Sequence, residues 1–86
     1  MAQVEWSKRA LKQLLSVDTR YQQAISRSVT QLAQFPTLTK DVKKLTECGN
    51  LYRLRVGNYR VLFEIIQSKP IVCQIQAVKR RTSKTY

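Results

Sequence analysis

The chain has 86 residues, with sixteen Lys and Arg against five Asp and Glu for a formal net charge of +11, and it contains no histidine. That length holds one core, so a single domain over residues 1–86 is expected, burying about 60–65% of its unfolded surface. Paired-imidazole chemistry is excluded, and with 43% hydrophobic residues the chain is no disordered basic tail.

Gln3 to Trp6 has strand character, and Ser7 is a plausible N-cap for a first helix over Lys8 to Ser16, with Ala10, Leu11, Leu14 and Leu15 at helical spacing. Trp6 reads as a packing anchor. Asp18 or Thr19 can cap a second helix whose Tyr21, Ala24, Ile25, Ser28, Val29 and Leu32 share a face. Phe35-Pro36 ends it, since a residue before proline disfavours helical geometry. A two-residue joint makes the pair an antiparallel helical hairpin.

Thr37 to Asn50 reads as a linking segment pinned by Leu38, Val42 and Leu45. Alternation then takes over at Leu51–Val56, Tyr59–Ile66 and Ile71–Val78, separated by a Gly57-Asn58 turn and a Ser68-Lys69-Pro70 turn. The expected fold is α+β in the order β-α-α-β-β-β, with the N-terminal helical hairpin packed on a small, mainly antiparallel sheet. No apolar run approaches the roughly 20 residues of a membrane span. The N-terminal residues lack the apolar core of a signal peptide, so a cytoplasmic location is expected. Cys48 and Cys73 show no metal spacing and are expected to be free thiols.

Side chains alternate across a strand, so parity assigns faces. Tyr52, Leu54 and Val56 point to the core, turning Arg53 and Arg55 outward. Val61, Phe63 and Ile65 point in, leaving Arg60, Leu62 and Glu64 out. On the third strand Ile71, Cys73, Ile75 and Ala77 are expected inside, with Gln74, Gln76 and Arg80 outside. Four guanidinium groups, Arg53, Arg55, Arg60 and Arg80, would then share one open face. Like charges on neighbouring strands repel unless an anion relieves them. The C-terminal 36 residues carry eight Lys or Arg against Glu64 alone, which favours nucleic acid over an acidic protein or an anionic membrane. A solvated antiparallel face is the bland alternative.

The element order, with Leu51-Tyr52-Arg53-Leu54-Arg55-Val56-Gly57-Asn58-Tyr59-Arg60-Val61-Leu62-Phe63-Glu64 and the terminal Lys79-Arg80-Arg81-Thr82-Ser83-Lys84-Thr85-Tyr86, resembles the RelE/ParE superfamily of bacterial toxins. The C-terminal segment is similar to the RelE branch, whose members enter the ribosomal A site and cut mRNA there, each held inactive by a cognate antitoxin. The resemblance implies that Arg53 and Arg55 match a basic pair on the second strand, which is lysine in the best-known members. It implies that Arg60 matches the arginine opening the next strand, Arg80 the one just after the last strand, and Tyr86 a tyrosine six residues on. Those five are the implied catalytic set, with Lys79, Arg81 and Lys84 as RNA-binding neighbours. The chain ends at Tyr86, so the C-terminal helix that some relatives use for antitoxin contact is not expected.

The chemistry so implied is attack of the RNA 2′-hydroxyl on the scissile phosphate, giving a 2′,3′-cyclic phosphate and a free 5′-hydroxyl. Arginine's planar fork suits the phosphate. Arg60 and Arg80 are implied transition-state clamps, and Tyr86 stacks on a base or handles the 2′-hydroxyl proton. Free tyrosine titrates near about 10, so the general base stays open, with Glu64 an alternative. The implied partners are an acidic antitoxin and the 70S ribosome with mRNA in its A site. Ribosomal RNA contacts from Lys8, Arg9, Lys12, Arg20 or Arg27 are a further possibility; a cofactor and a membrane are not implied. Rival readings are a gyrase-inhibiting toxin of the ParE branch and a non-catalytic RNA- or ribosome-binding module.

Overall fold

A computed structural model describes residues 2–34, 42–45 and 49–80. It contains β1 (Ala2–Trp6), α1 (Lys8–Leu15), α2 (Thr19–Thr30), a 3-10 turn (Gln31–Gln34), β2 (Val42–Lys44), β3 (Leu51–Val56), β4 (Tyr59–Ile66) and β5 (Ile71–Arg80). The strands form one sheet in the order β1-β5-β4-β3-β2, with β1 parallel to β5 and the other pairings antiparallel. The α+β expectation holds. The sheet has one strand more than the sequence suggested, because Val42–Lys44 pairs with Tyr52–Leu54 inside what reads as a linker.

Both helices start where a side chain can satisfy the first free amides. Ser7 Oγ accepts from Ala10 N at 3.0 Å, and Asp18 Oδ1 accepts from Arg20 N at 2.9 Å. The latter bond holds the Asp18 carboxyl below its ordinary range. Ser7 also ties α1 to the sheet, its N–H donating to Ile75 O at 3.0 Å and its hydroxyl to Gln76 O at 3.4 Å. Farther along α1, Gln13 Oε1 accepts the Val78 amide at 2.7 Å. That bond occupies a β5 donor beyond the reach of β1, whose pairing ends at Trp6 and Ile75.

The core lies between the helices and one face of the sheet. Ala10, Leu14, Ile25, Val29 and Leu32 meet Leu54, Val61, Phe63, Ile65, Cys73, Ile75 and Val78 there. Phe63 is fully buried and stacks on Tyr52 at 5.6 Å, while Trp6 packs against the cluster's margin, as its sequence context suggested. Leu11 and Leu15 share the apolar spacing of α1 but stay exposed. The helical face of α2 is likewise narrower than its spacing, with Tyr21 and Ala24 exposed. Burial pushes the Cys73 thiol above its ordinary range, and its Sγ lies 3.7 Å from Leu32 O. Cys48 lies outside the described residues.

β3 and β4 meet at Gly57-Asn58, where Gly57 has φ +56° and Asn58 has a negative φ. That combination fits a type II′ turn, whose twist matches the flanking strands. The turn fixes the register of the hairpin: Val56 with Tyr59, Arg55 with Arg60, Leu54 with Val61.

Candidate nucleic-acid interface

The functional question turns on which side chains share the sheet face away from the helices. On β3 and β4 the parity expected from sequence holds: Arg53, Arg55, Arg60, Leu62 and Glu64 alternate with the core residues.

β5 departs from it. Leu62 pairs with Ala77 and Phe63 with Ile75, so Gln76 is an extra residue, a β-bulge. One inserted residue reverses the alternation beyond it. Val78, not Ala77, joins the core cluster, in register with Val61. Ala77 is covered instead on the open side, among Leu62, Gln76 and Lys79. Lys79 then stands opposite Arg60, while Arg80 pairs with Tyr59. The Tyr59 ring lies on the helix side, 5.4 Å from the Tyr21 ring of α2.

The expected set of four guanidinium groups is therefore corrected. Arg53, Arg55 and Arg60 share the open face, Lys79 completes it, and Arg80 ends β5 on the opposite side. Tyr86, Arg81 and Lys84 lie outside the described residues.

What results is a cross-strand row of three cations, Arg55, Arg60 and Lys79, with Arg53 two residues along β3. Side chains directly opposite on neighbouring strands have Cβ atoms about 4.5–5.5 Å apart. Arg53, Arg55, Tyr59 and Arg60 line one small cleft. Within it Arg53 Nε is shielded from solvent and has no hydrogen-bond partner. An unmet buried donor costs about 1–3 kcal/mol.

Beside the row lies a shallow trough of about 400 Å³, lined by Ser7, Arg9, Leu51, Leu62, Glu64, Gln76, Ala77 and Lys79. The sequence singled out Lys79 and Glu64 from this list. Arg9 was read as a possible ribosomal RNA contact rather than part of this face, and Ser7 and Gln76 were not tied to a site, because only the capped start of α1 beside β5 and the bulge bring them there. Glu64 is half-buried, and its Oε1 accepts from Gln76 Nε2 at 3.2 Å. The same Gln76 amide donates to Gln74 Oε1 at 2.8 Å. On α2, Arg20 forms an ion pair with Asp18 at 3.4 Å. The described residues hold no cluster of three or more His, Cys, Asp or Glu able to bind a metal. None of their helices is long and apolar enough to cross a membrane.

The family model described as "ParE toxin of type II toxin-antitoxin system, parDE" matches residues 4–84. The chain belongs to the RelE/ParE toxin superfamily.

Solved structures of RelE toxins and complexes share this toxin's fold. A chain of the archaeal RelE-RelB complex from Pyrococcus horikoshii OT3 is 29% identical, with 96% of this chain and 98% of that one covered at a TM-score of 0.80. A chain of the RelB-RelE antitoxin-toxin complex from Methanococcus jannaschii is 26% identical, with 90% of each covered at 0.68. The isolated E. coli RelE toxin, 17% identical, covers 95% of this chain and 86% of its own at 0.79, a likeness of fold. Among curated proteins, none matches in sequence.

Proposed function

We propose that this type II toxin is a ribosome-dependent endoribonuclease that cuts mRNA in the A site. The observation that carries the reading is the row Arg55, Arg60 and Lys79, backed by Arg53, on a rigid sheet face. Three cations held side by side suit a phosphate under attack, whose equatorial oxygens gain charge in the transition state. The RNA 2′-oxygen attacks phosphorus and the bond to the 5′-oxygen breaks, leaving a 2′,3′-cyclic phosphate and a 5′-hydroxyl. One proton leaves the 2′-hydroxyl and one reaches the departing oxygen.

In this reading Arg60 is the central clamp, Arg55 and Lys79 flank it, and Arg53 adds positive charge from two residues along β3. Arg80, the clamp implied by the resemblance, pairs with Tyr59 at the end of β5 and would act from there. Tyr86, Arg81 and Lys84 would act from the C-terminal segment, Tyr86 on a base or the 2′-hydroxyl. The ribosome, with its A-site message, orients the strand that a site with so few proton-transfer groups cannot orient alone. An acidic antitoxin is the proposed inhibitor, and the likeness to chains from RelE-RelB complexes supports a partner of that kind. Opposite charge across the basic face would speed its association. A cytoplasmic site of action accompanies the ribosomal target.

The test is mapping of 5′ ends on ribosome-bound message after induction of the wild type or Arg60→Ala. New 5′-hydroxyl ends at A-site codons, lost in the variant, support the nuclease. The match to a ParE family model favours a second reading, a gyrase-directed toxin. DNA breaks without message cuts would select it.

A further inference from the structure

β5 has a strand on both sides for only part of its length. Its pairing with β4 continues to Arg80 and Tyr59, but its pairing with β1 stops at Ile75 and Trp6. Past that point side chains and backbone of α1 and its cap take the place of the missing strand. Ser7 donates to Ile75 O and Gln76 O, and Gln13 Oε1 accepts from the Val78 amide at 2.7 Å. These bonds bracket Gln76, the residue that the bulge inserts. A glutamine on a helix surface is ordinarily solvated; this one is half-buried and spent on a strand amide.

The Gln13 bond belongs to the bulged register. Along a strand, successive residues turn both backbone groups to alternate edges. Ile75 O points to the α1 side, where it accepts from Ser7. In an unbroken strand the Val78 N–H would therefore point the other way, into β4. The inserted Gln76 turns it back toward α1, where Gln13 meets it. Without the insertion Val78 would stand opposite Arg60 on the open face, and Lys79 opposite Tyr59 on the helix side. Arg80 would then reach the open face beyond the end of β4. One residue of register decides whether a lysine or a valine lies across from Arg60. Core burial separates the two registers by no more than the difference between Val78 and Ala77. The acceptor supplied by α1 adds to that preference, since one such bond shifts an equilibrium about 2- to 12-fold.

We infer that Gln13 is a positioning residue of the cation row: by accepting from Val78 it holds β5 in the register that sets Lys79 opposite Arg60. The contact of Lys79 with a phosphate rests on the nuclease reading; the register does not.

Two measurements on the full chain test it, each with Gln13→Met, Gln13→Asn and Gln13→Glu. Methionine keeps the length without the oxygen, asparagine is one methylene short of the amide, and glutamate keeps an acceptor. In the first, cross-strand proton contacts in isotope-labelled protein read the register by NMR. Wild type and Gln13→Glu should pair Arg60 with Lys79. Gln13→Met and Gln13→Asn should show a second set that pairs Arg60 with Val78. In the second, a fluorescein-labelled oligouridylate is titrated at low salt into Lys79→Ala and Arg80→Ala made in each background. With Gln13 or Glu at the position, Lys79→Ala should weaken binding about fivefold and Arg80→Ala by less. With methionine or asparagine that gap should close. A merely structural contact would lower stability and leave the order of the two cations intact. The Arg60–Lys79 set alone in both Gln13→Met and Gln13→Asn would overturn the inference. So would a second set that persists in Gln13→Glu. If the register shifts as expected while neither Lys79→Ala nor Arg80→Ala alters RNA affinity in any background, the role of Gln13 stands and the nuclease reading loses its row.

Discussion

Lys79 lies directly across from Arg60 on the neighbouring strand, and Arg55 flanks Arg60 from the other side. The like charges of Arg60 and Lys79 oppose folding, so the site and the stability of the sheet work against each other.

Neutralising either end of that opposition should stabilise the protein. Arg60→Gln and Lys79→Gln are each expected to gain about 0.2–1 kcal/mol in urea denaturation at low salt. Adding salt should shrink the gain, because screening already relieves the wild type. A loss of stability in both variants would mean that the row is not strained by its charge.

The bulge makes a sharper forecast at two adjacent positions. Val78→Asp buries an unpaired charge among Val61 and its neighbours and should prevent folding. Lys79→Asp places the same group on the open face, where the protein should fold but bind RNA weakly. Circular dichroism and oligonucleotide titration separate the two. If Val78→Asp folds normally, the inward placement of Val78 is wrong.

That bulge also marks where the sequence stopped being legible. The Gly57-Asn58 turn and the strict alternation of Tyr52, Leu54, Val61, Phe63 and Ile65 sufficed to put Arg53, Arg55 and Arg60 on one face. In Ile75-Gln76-Ala77-Val78, by contrast, Ala77 and Val78 are both acceptable core residues, so no pattern reveals that an extra residue reverses the strand. Extending the earlier parity assigned Arg80 to a place that Lys79 holds. β2 was missed for a different reason: Val42–Lys44 is a three-residue edge strand, blunted by Lys43 and Lys44, whose order comes from pairing with β3 rather than from its own composition. The parallel pairing of β1 with β5 joins the chain's beginning to its last described strand, and no local signal carries such a contact.

Gly57 is the point where the hairpin register depends on one residue. A Cβ built there meets nothing within 4 Å, so the cost of Gly57→Ala is conformational. At φ +56° it should be about 1–2 kcal/mol. Gly57→Asn should cost less, because asparagine tolerates this backbone region. Thermal unfolding of the pair checks the order, and an alanine variant as stable as wild type would contradict the turn assignment.

Cys73 provides a pH test. Its thiol is buried and titrates above the ordinary range, so the folded chain keeps that proton at a pH where the unfolded chain has lost it. The thiol's contribution is therefore intact below about pH 8.5 and declines as pH rises past that value. Cys73→Ala should be the less stable protein at pH 7, with the gap narrowing at pH 9 and above. Native protein should alkylate slowly at Cys73 and rapidly in urea, as peptide mass spectrometry would show. Rapid native alkylation would contradict the burial.

The open-face row is tested most directly by single-turnover cleavage of message on programmed ribosomes at saturating toxin. Wild type, Arg60→Ala, Lys79→Ala, Arg80→Ala and Arg27→Ala, the last on the exposed face of α2, form the set. Arg60→Ala should lose about 10²–10³-fold in rate, as removal of one transition-state donor does, and Lys79→Ala more than Arg80→Ala, while Arg27→Ala keeps the wild-type rate. Full activity in Arg60→Ala and Lys79→Ala together would contradict a catalytic role for this face.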